Sequence, residues 1–231
     1  MASEVRAKAL EVHGRQLDAY GEPPPPANRD PLDALVLTIL SQNTNDRLRD
    51  VAFRRLRAAF PSWEEVRDAP VEAIGQAIQV AGLWKQKAAR IKEALQRITA
   101  ERGTLTLDFL RELPTEEARR YLLSFNGVGP KTAAIILLFT LGMPAFPVDT
   151  HVHRVTRRLG LIPDGTGREK AHELLEAILP PETYYAFHIN VIRHGRAVCA
   201  ARRPRCAECP LRDVCDYCAR TCALAPGGET P

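Results

Sequence analysis

One stretch constrains this chain more than any other: Phe125-Asn126-Gly127-Val128-Gly129-Pro130-Lys131-Thr132-Ala133-Ala134. A polar, helix-patterned segment from Glu116 to Ser124 leads into it, and an almost wholly apolar one from Pro130 to Leu141 leads out. The glycines allow a tight turn, because they accept positive φ and let another backbone come close. Pro130 suits the first position of the second helix, where its missing N–H is no loss. The free amides of such a turn lie at the positive end of that helix, which makes a seat for phosphate.

The remaining chain reads as helices. Ser3 to Tyr20 is amphipathic, with Val5, Leu10, Val12 and Leu17 on its apolar side. Gly21-Glu22-Pro23-Pro24-Pro25-Pro26 then reads as an extended linker and a domain boundary. Asp30-Pro31 opens a helix that is apolar on nearly every side to Leu40, so it should be buried. A polar knot, Ser41 to Asp46, follows, with Asp46 as the cap of Arg47 to Ala59. Ser62 and Glu65 form a capping box. Pro70 opens a helix that Gly82 closes, Leu83 to Gln86 reads as a loop, and Lys87 to Thr99 as a helix stopped by Gly103. Asp108 to Glu112 reads as a turn or short helix. Further helices are expected over Thr150 to Leu159, Glu169 to Leu179 and Glu182 to Arg196. No stretch alternates, so the fold class is all-α. Ala81 to Ile91 and Asn126 to Ile136 both run glycine, loop, lysine, small residues, isoleucine. That is either a faint internal repeat or coincidence.

At 231 residues the chain can bury one large core or two modest ones. A net charge of +4 permits nucleic-acid binding without requiring it. Aromatics at 6% argue against a stacking platform for single strands. No apolar run approaches the ~20 residues of a membrane span. Met1-Ala2-Ser3-Glu4 begins no signal-peptide core, so a cytoplasmic protein is expected.

All six cysteines fall between Cys199 and Cys222, which points to a local metal site in a reducing compartment. Cys199, Cys206, Cys209 and Cys215 are spaced as soft ligands of an iron–sulfur cluster. Zinc is the alternative, because Cys206, Cys209, Cys215 and Cys218 form two Cys-x2-Cys pairs. Arg202, Arg203 and Arg205 lie on the loop between the first two of the four cysteines, where they suit phosphate contacts that carry no sequence information. The alternative is a solvated charge run.

Two further residues carry chemistry. Lys131, at a helix start and beside an apolar segment, is placed to act as a neutral amine, a nucleophile for a sugar carbon. It could equally contact a backbone phosphate. Asp149 is a good helix cap before Thr150, and also a carboxylate able to stabilise positive charge and move protons. His151 and His153 lie on different helix faces and read as lining or structural residues.

Gly127-Val128-Gly129-x-Lys131-Thr132-Ala133, followed by Val148-Asp149-Thr150-His151, resembles the helix–hairpin–helix DNA glycosylases, specifically the endonuclease III family. The resemblance runs from about Asp30 to Cys215. It implies a two-lobed fold: a six-helix barrel with the hairpin over 28–143, a cluster domain from 1–27 and 144–222, and a frayed tail over 223–231. It implies a 4Fe-4S cluster on Cys199, Cys206, Cys209 and Cys215, with Lys131 and Asp149 as catalytic residues facing DNA from the two lobes. Leu83 matches the family's wedge leucine, and Gly127 and Gly129 its hairpin contacts to DNA. The family's gap-filling glutamine is replaced: Asn43 stands at its position and Gln42 one before it. The implied protein is a monomeric, cytoplasmic, nucleoid-associated glycosylase of bacterial type. It would excise oxidised pyrimidines from double-stranded DNA and nick 3′ to the abasic site. A uracil or thymine·guanine mismatch glycosylase, and a DNA-binding module without cleavage, are the other readings.

Overall fold

The structure, a computed structural model, describes residues 2–26 and 29–222. In chain order the helices are α1 (Ala2–Tyr20), α2 (Pro31–Ser41), α3 (Asp46–Ala59), α4 (Trp63–Asp68), α5 (Val71–Ile78), α6 (Trp84–Arg102), α7 (Thr115–Leu123), α8 (Pro130–Ile136), α9 (Thr150–Leu159), α10 (Arg168–Ile178), α11 (Tyr184–Ala197) and α12 (Asp216–Cys222). No strand occurs among the described residues, so the protein is all-α. The expected frayed tail lies outside the described residues.

The chain divides into two compact units, Ala27–Met143 and the pair of segments Met1–Pro26 and Pro144–Pro231. In the first, Leu32, Leu35, Ile39 and Leu40 of α2 are fully buried, together with Leu56, Ile74, Ile78, Ile91, Leu95 and Ile98. Each such side chain stabilises the fold by about 1.5–3 kcal/mol relative to exposure. α2 is apolar all round because it is the element that the others cover. In the second unit α9 packs on α11, and α1 packs on α10 and α11, around Val12, Val152, Leu175 and Phe187.

Several local expectations need correction. The cap of α3 is Asn45, whose Oδ1 accepts from Leu48 N at 2.9 Å; Asp46 begins the helix and pairs with Arg49 instead. The loop expected at Leu83 to Gln86 is shorter, because α6 already starts at Trp84. That indole lies so close over Gly75 that a Cβ there would meet its Cε3 at 2.4 Å, and this packing draws Trp84 into the helix. The apolar helix after the hairpin is α-helical only to Ile136. Leu137 to Leu141 widen into a π-type turn that Gly142 ends. Ser62 does cap α4, accepting from Glu65 N at 3.1 Å.

Candidate functional site

The hairpin is a short turn between α7 and α8. Gly127 sits at φ +86, a conformation that favours glycine, and a Cβ there would meet Arg90 Nη1 at 2.9 Å and push that side chain aside. Gly129 has extended backbone with nothing within 4 Å of where its Cβ would be. Nothing inside the protein requires glycine there; what it leaves is room for an approach from outside. Val128, 6% exposed, anchors the turn into the core. The first hydrogen bond of the new helix is Ala133 N to Gly129 O at 3.0 Å. No acceptor among the described residues takes the amides of Gly127, Gly129 or Lys131.

Lys131 stands at the second position of α8 with its side chain exposed. The dry segment expected beside it begins at Ala133 and Ala134, which are fully buried, and does not enclose the amine. Gln42 is committed to the turn: its Nε2 donates to Gly127 O, and its Oε1 accepts from Arg90 Nη1 at 2.7 Å. It holds the hairpin from behind. Asn43, the next residue, is exposed at φ +51.

A second turn lies at Gly82-Leu83, between a helical turn at Gln79–Ala81 and α6. Leu83 is left-handed, at φ +46, and 55% exposed. A large apolar residue in that conformation, facing solvent, serves neither the core nor the turn. Sequence reasoning found Leu83 but passed over Lys87, which is buried one helical turn on and whose backbone N–H donates to Leu83 O at 3.0 Å. The signal was present: Lys87 stands four residues before Ile91, on the apolar stripe of α6.

In the other unit, Asp149 caps α9, its Oδ1 accepting from Val152 N at 2.7 Å. Among the described residues no donor takes its other oxygen. The approach to it is pinned at successive residues. Phe146 N donates to Glu176 Oε1 at 2.8 Å, Phe146 O pairs with His172 Nδ1 at 2.8 Å, and Pro147 O pairs with His188 Nδ1 at 2.9 Å. His153 bonds Thr166 O at 2.7 Å, and His151 lies 3.1 Å from Arg154 Nη2, so both are structural.

Cys199, Cys206, Cys209 and Cys215 line a single pocket with Arg158, His194 and Tyr217, and Cys218 joins its wall. Burial first, then the nearby Cys215, Cys199 and Cys206 thiols, push the Cys209 thiol up to about 11, against a lowering backbone bond from Leu211. Thiols that oppose one another's ionisation form the donor set that a cationic metal group relieves. Among the described residues no three His, Cys, Asp or Glu side chains meet closely enough to hold one metal ion. Arg158 of α9 donates to Cys199 Sγ at 3.2 Å, to Ala200 O at 2.7 Å and to Ala201 O at 3.0 Å, and Arg154 to Cys199 O at 3.1 Å. These two arginines, which sequence reasoning missed, tie the cysteine loop to the helix that Asp149 caps. Arg205 turns back on its own loop, to Ala197 O and Glu208. Arg202 and Arg203 are exposed, the latter at φ +50. No helix among the described residues is long and apolar enough to cross a membrane.

Residues 36–181 match the HhH-GPD superfamily of base excision DNA repair proteins. Endonuclease III of Thermotoga maritima is 34% identical over 188 residues, 81% of this chain and 84% of that protein. The Arabidopsis thaliana "Putative DNA glycosylase At3g47830" is 41% identical over 165 residues, 71% of this chain; the match spans only 56% of that longer protein. Among solved structures, a non-covalent endonuclease III–DNA complex superposes with a TM-score of 0.78 at 26% identity, over 94% of this chain and 98% of that one. The chain belongs to the HhH-GPD superfamily of base excision DNA repair proteins and, within it, to the endonuclease III family.

Proposed function

We propose that this protein is a bifunctional DNA glycosylase and abasic-site lyase acting on oxidised pyrimidines in duplex DNA. The observation that carries the proposal is the exposed Lys131 beside a glycine turn whose amides are free. The turn seats a backbone phosphate at Gly127 and Gly129, and Leu83 and Asn43 enter the stack as the damaged nucleotide leaves it. Arg202 and Arg203 hold a second stretch of backbone, as arginines do wherever phosphate must be gripped. Arg205 braces its own loop, and Gln42 the hairpin turn, more than they reach outward.

The Lys131 amine attacks C1′ of the sugar. The N-glycosidic bond breaks, its electron pair leaves with the base, and the base takes a proton. Asp149, with one oxygen uncommitted, steadies the positive charge that grows on the sugar and relays the amine's proton. The C1′–O4′ bond then opens, its electron pair and the amine's remaining proton passing to O4′, and leaves an imine; loss of a proton from C2′ expels the 3′ phosphate and nicks the strand, and water then releases the lysine. Cys199, Cys206, Cys209 and Cys215 are proposed to hold a 4Fe-4S cluster, which supplies a fixed anchor for the arginine loop. Thiols spread around one pocket, with no trio fit for a single ion, favour a cluster over zinc.

The test is borohydride trapping on duplexes carrying thymine glycol, other oxidised pyrimidines, or uracil and thymine opposite guanine. The proposal expects a covalent adduct on the oxidised pyrimidines that is absent from Lys131→Gln. Excision confined to the mismatches would assign the mismatch reading instead. Iron and acid-labile sulfide, lost together in Cys209→Ser, check the cluster.

A further inference from the structure

Lys87 is among the largest fully buried side chains of the protein, at 1% exposure, and the proposed reaction gives it no part. Its ammonium donates to Leu40 O at 2.8 Å, Ala81 O at 2.8 Å and Thr44 Oγ1 at 2.7 Å. Three acceptors match the three protons of an ammonium. Among the described residues no carboxylate pairs with it, so the cost of burying the charge is met there by backbone and hydroxyl oxygens.

The places of those acceptors explain the arrangement. Leu40 O lies in the last turn of α2, and Ala81 O closes the helical turn that follows α5. Helix C-termini leave carbonyls without partners and favour a cation. One amine thus caps two helix ends at once. The chain leaving the first end passes through Asn43 at φ +51, and the chain leaving the second through Leu83 at φ +46. Asparagine enters that region readily, but a leucine holds it only where its surroundings force it. Both are exposed, and both lie within three residues of a group that Lys87 holds: Asn43 stands between Leu40 and Thr44, next to the latter, and Leu83 two residues after Ala81. Thr44 Oγ1 also lies on Ala81 O, closing the link between the turns.

We propose that Lys87 is a positioning residue for base extrusion, stapling the turn of Asn43 to the turn of Leu83 so that both side chains meet the duplex as one rigid wedge. The proposal rests on the glycosylase reading for its purpose, but the staple is testable without it. Lys87→Met keeps the length of the stem and removes the three donors. Amide hydrogen exchange at residues 42–44 and 81–84 should then quicken in both turns together, by about 10-fold or more, with the helical circular dichroism unchanged. Loosening of one turn alone, or of neither, overturns the staple. On damaged duplex, single-turnover excision by Lys87→Met should fall roughly 10- to 100-fold. In a Leu83→Ala background the same change should cost less than about 3-fold, because the residue it positions is already gone. Losses that simply multiply, or wild-type excision by a folded Lys87→Met, overturn the positioning role. If Lys87→Met does not fold, Thr44→Val removes one of the three acceptors and is read in the same way. If the wild-type protein excises no lesion at all, the glycosylase reading fails, and the exchange measurement still decides the staple.

Discussion

Two turns in one unit of this protein are built on the same plan with the outside and inside exchanged. Each follows a helical segment, passes through a glycine at positive φ, and starts a new helix: Gly82 at +64 before α6, and Gly127 at +86 before α8. After the first, the apolar residue Leu83 is exposed and Lys87 is buried. After the second, the apolar residue Val128 is buried and Lys131 is exposed. In the hairpin the core holds the turn by hydrophobic contact, which leaves the amine outside, where the proposed reaction uses it. In the other turn the amine holds from within, which leaves the leucine outside for contact with a partner. Arg90 of α6 reaches across to Gln42 and to the space over Gly127, so the two turns also brace each other.

The sharpest way to break the comparison is to exchange its lysines' fates. Lys131→Gln should abolish the borohydride-trapped adduct and slow strand nicking roughly 10³-fold or more, with duplex affinity within about 10-fold of wild type. Lys87→Gln should leave the adduct detectable, because it removes support and not the nucleophile. An adduct in Lys131→Gln at wild-type level would sink the assignment of roles.

A smaller effect separates the glycines. Gly82→Ala and Gly127→Ala both carry a backbone strain of about 1–3 kcal/mol. Only Gly127→Ala also pushes on Arg90, whose Nη1 would lie 2.9 Å from the new Cβ. Thermal unfolding in an Arg90→Ala background should therefore shrink the Gly127→Ala penalty by about 1 kcal/mol and leave the Gly82→Ala penalty unchanged. Smaller again is the apolar pair. Val128→Ala should cost about 1.5 kcal/mol of stability, whereas Leu83→Ala should cost under about 0.5 kcal/mol while impairing excision. Equal losses of stability would mean that Leu83 is ordinary packing.

Much of this was legible in the residues. The hairpin announced itself, since Gly127, Pro130 and the apolar run after it each have a local reason to be where they are. The Asp149 cap and the helix ends at Gly103 and Gly160 are equally local. What escaped was held by contacts distant in sequence. Gln42 reads as a solvent-facing polar residue until Gly127 O is seen 85 positions away to take its amide. Trp84 reads as loop until Gly75 opens a slot for it. Lys87 reads as one more charge on a helix, and only the convergence of three chain segments shows why a cation belongs in the core. Arg154 and Arg158 follow the same rule, since nothing near them in sequence points to Cys199 or to the carbonyls at 200 and 201.

The buried lysine also offers a test through pH. Burial holds its amine below the ordinary lysine value of 10.5. With the folded-state value the lower of the two, the unfolded chain keeps its proton to higher pH than the folded protein does. As pH rises through the folded value the folded protein sheds its proton first, and the cost of the buried charge is relieved. Wild type should therefore gain stability relative to Lys87→Met as pH climbs from neutrality toward 10.5, in denaturant midpoints measured pairwise so that other groups cancel. The opposite slope would mean that the three oxygens hold the charged form more strongly than burial opposes it. With either slope, the amine gives up at the alkaline end the proton that one of those oxygens needs, so the staple should loosen and excision slow there.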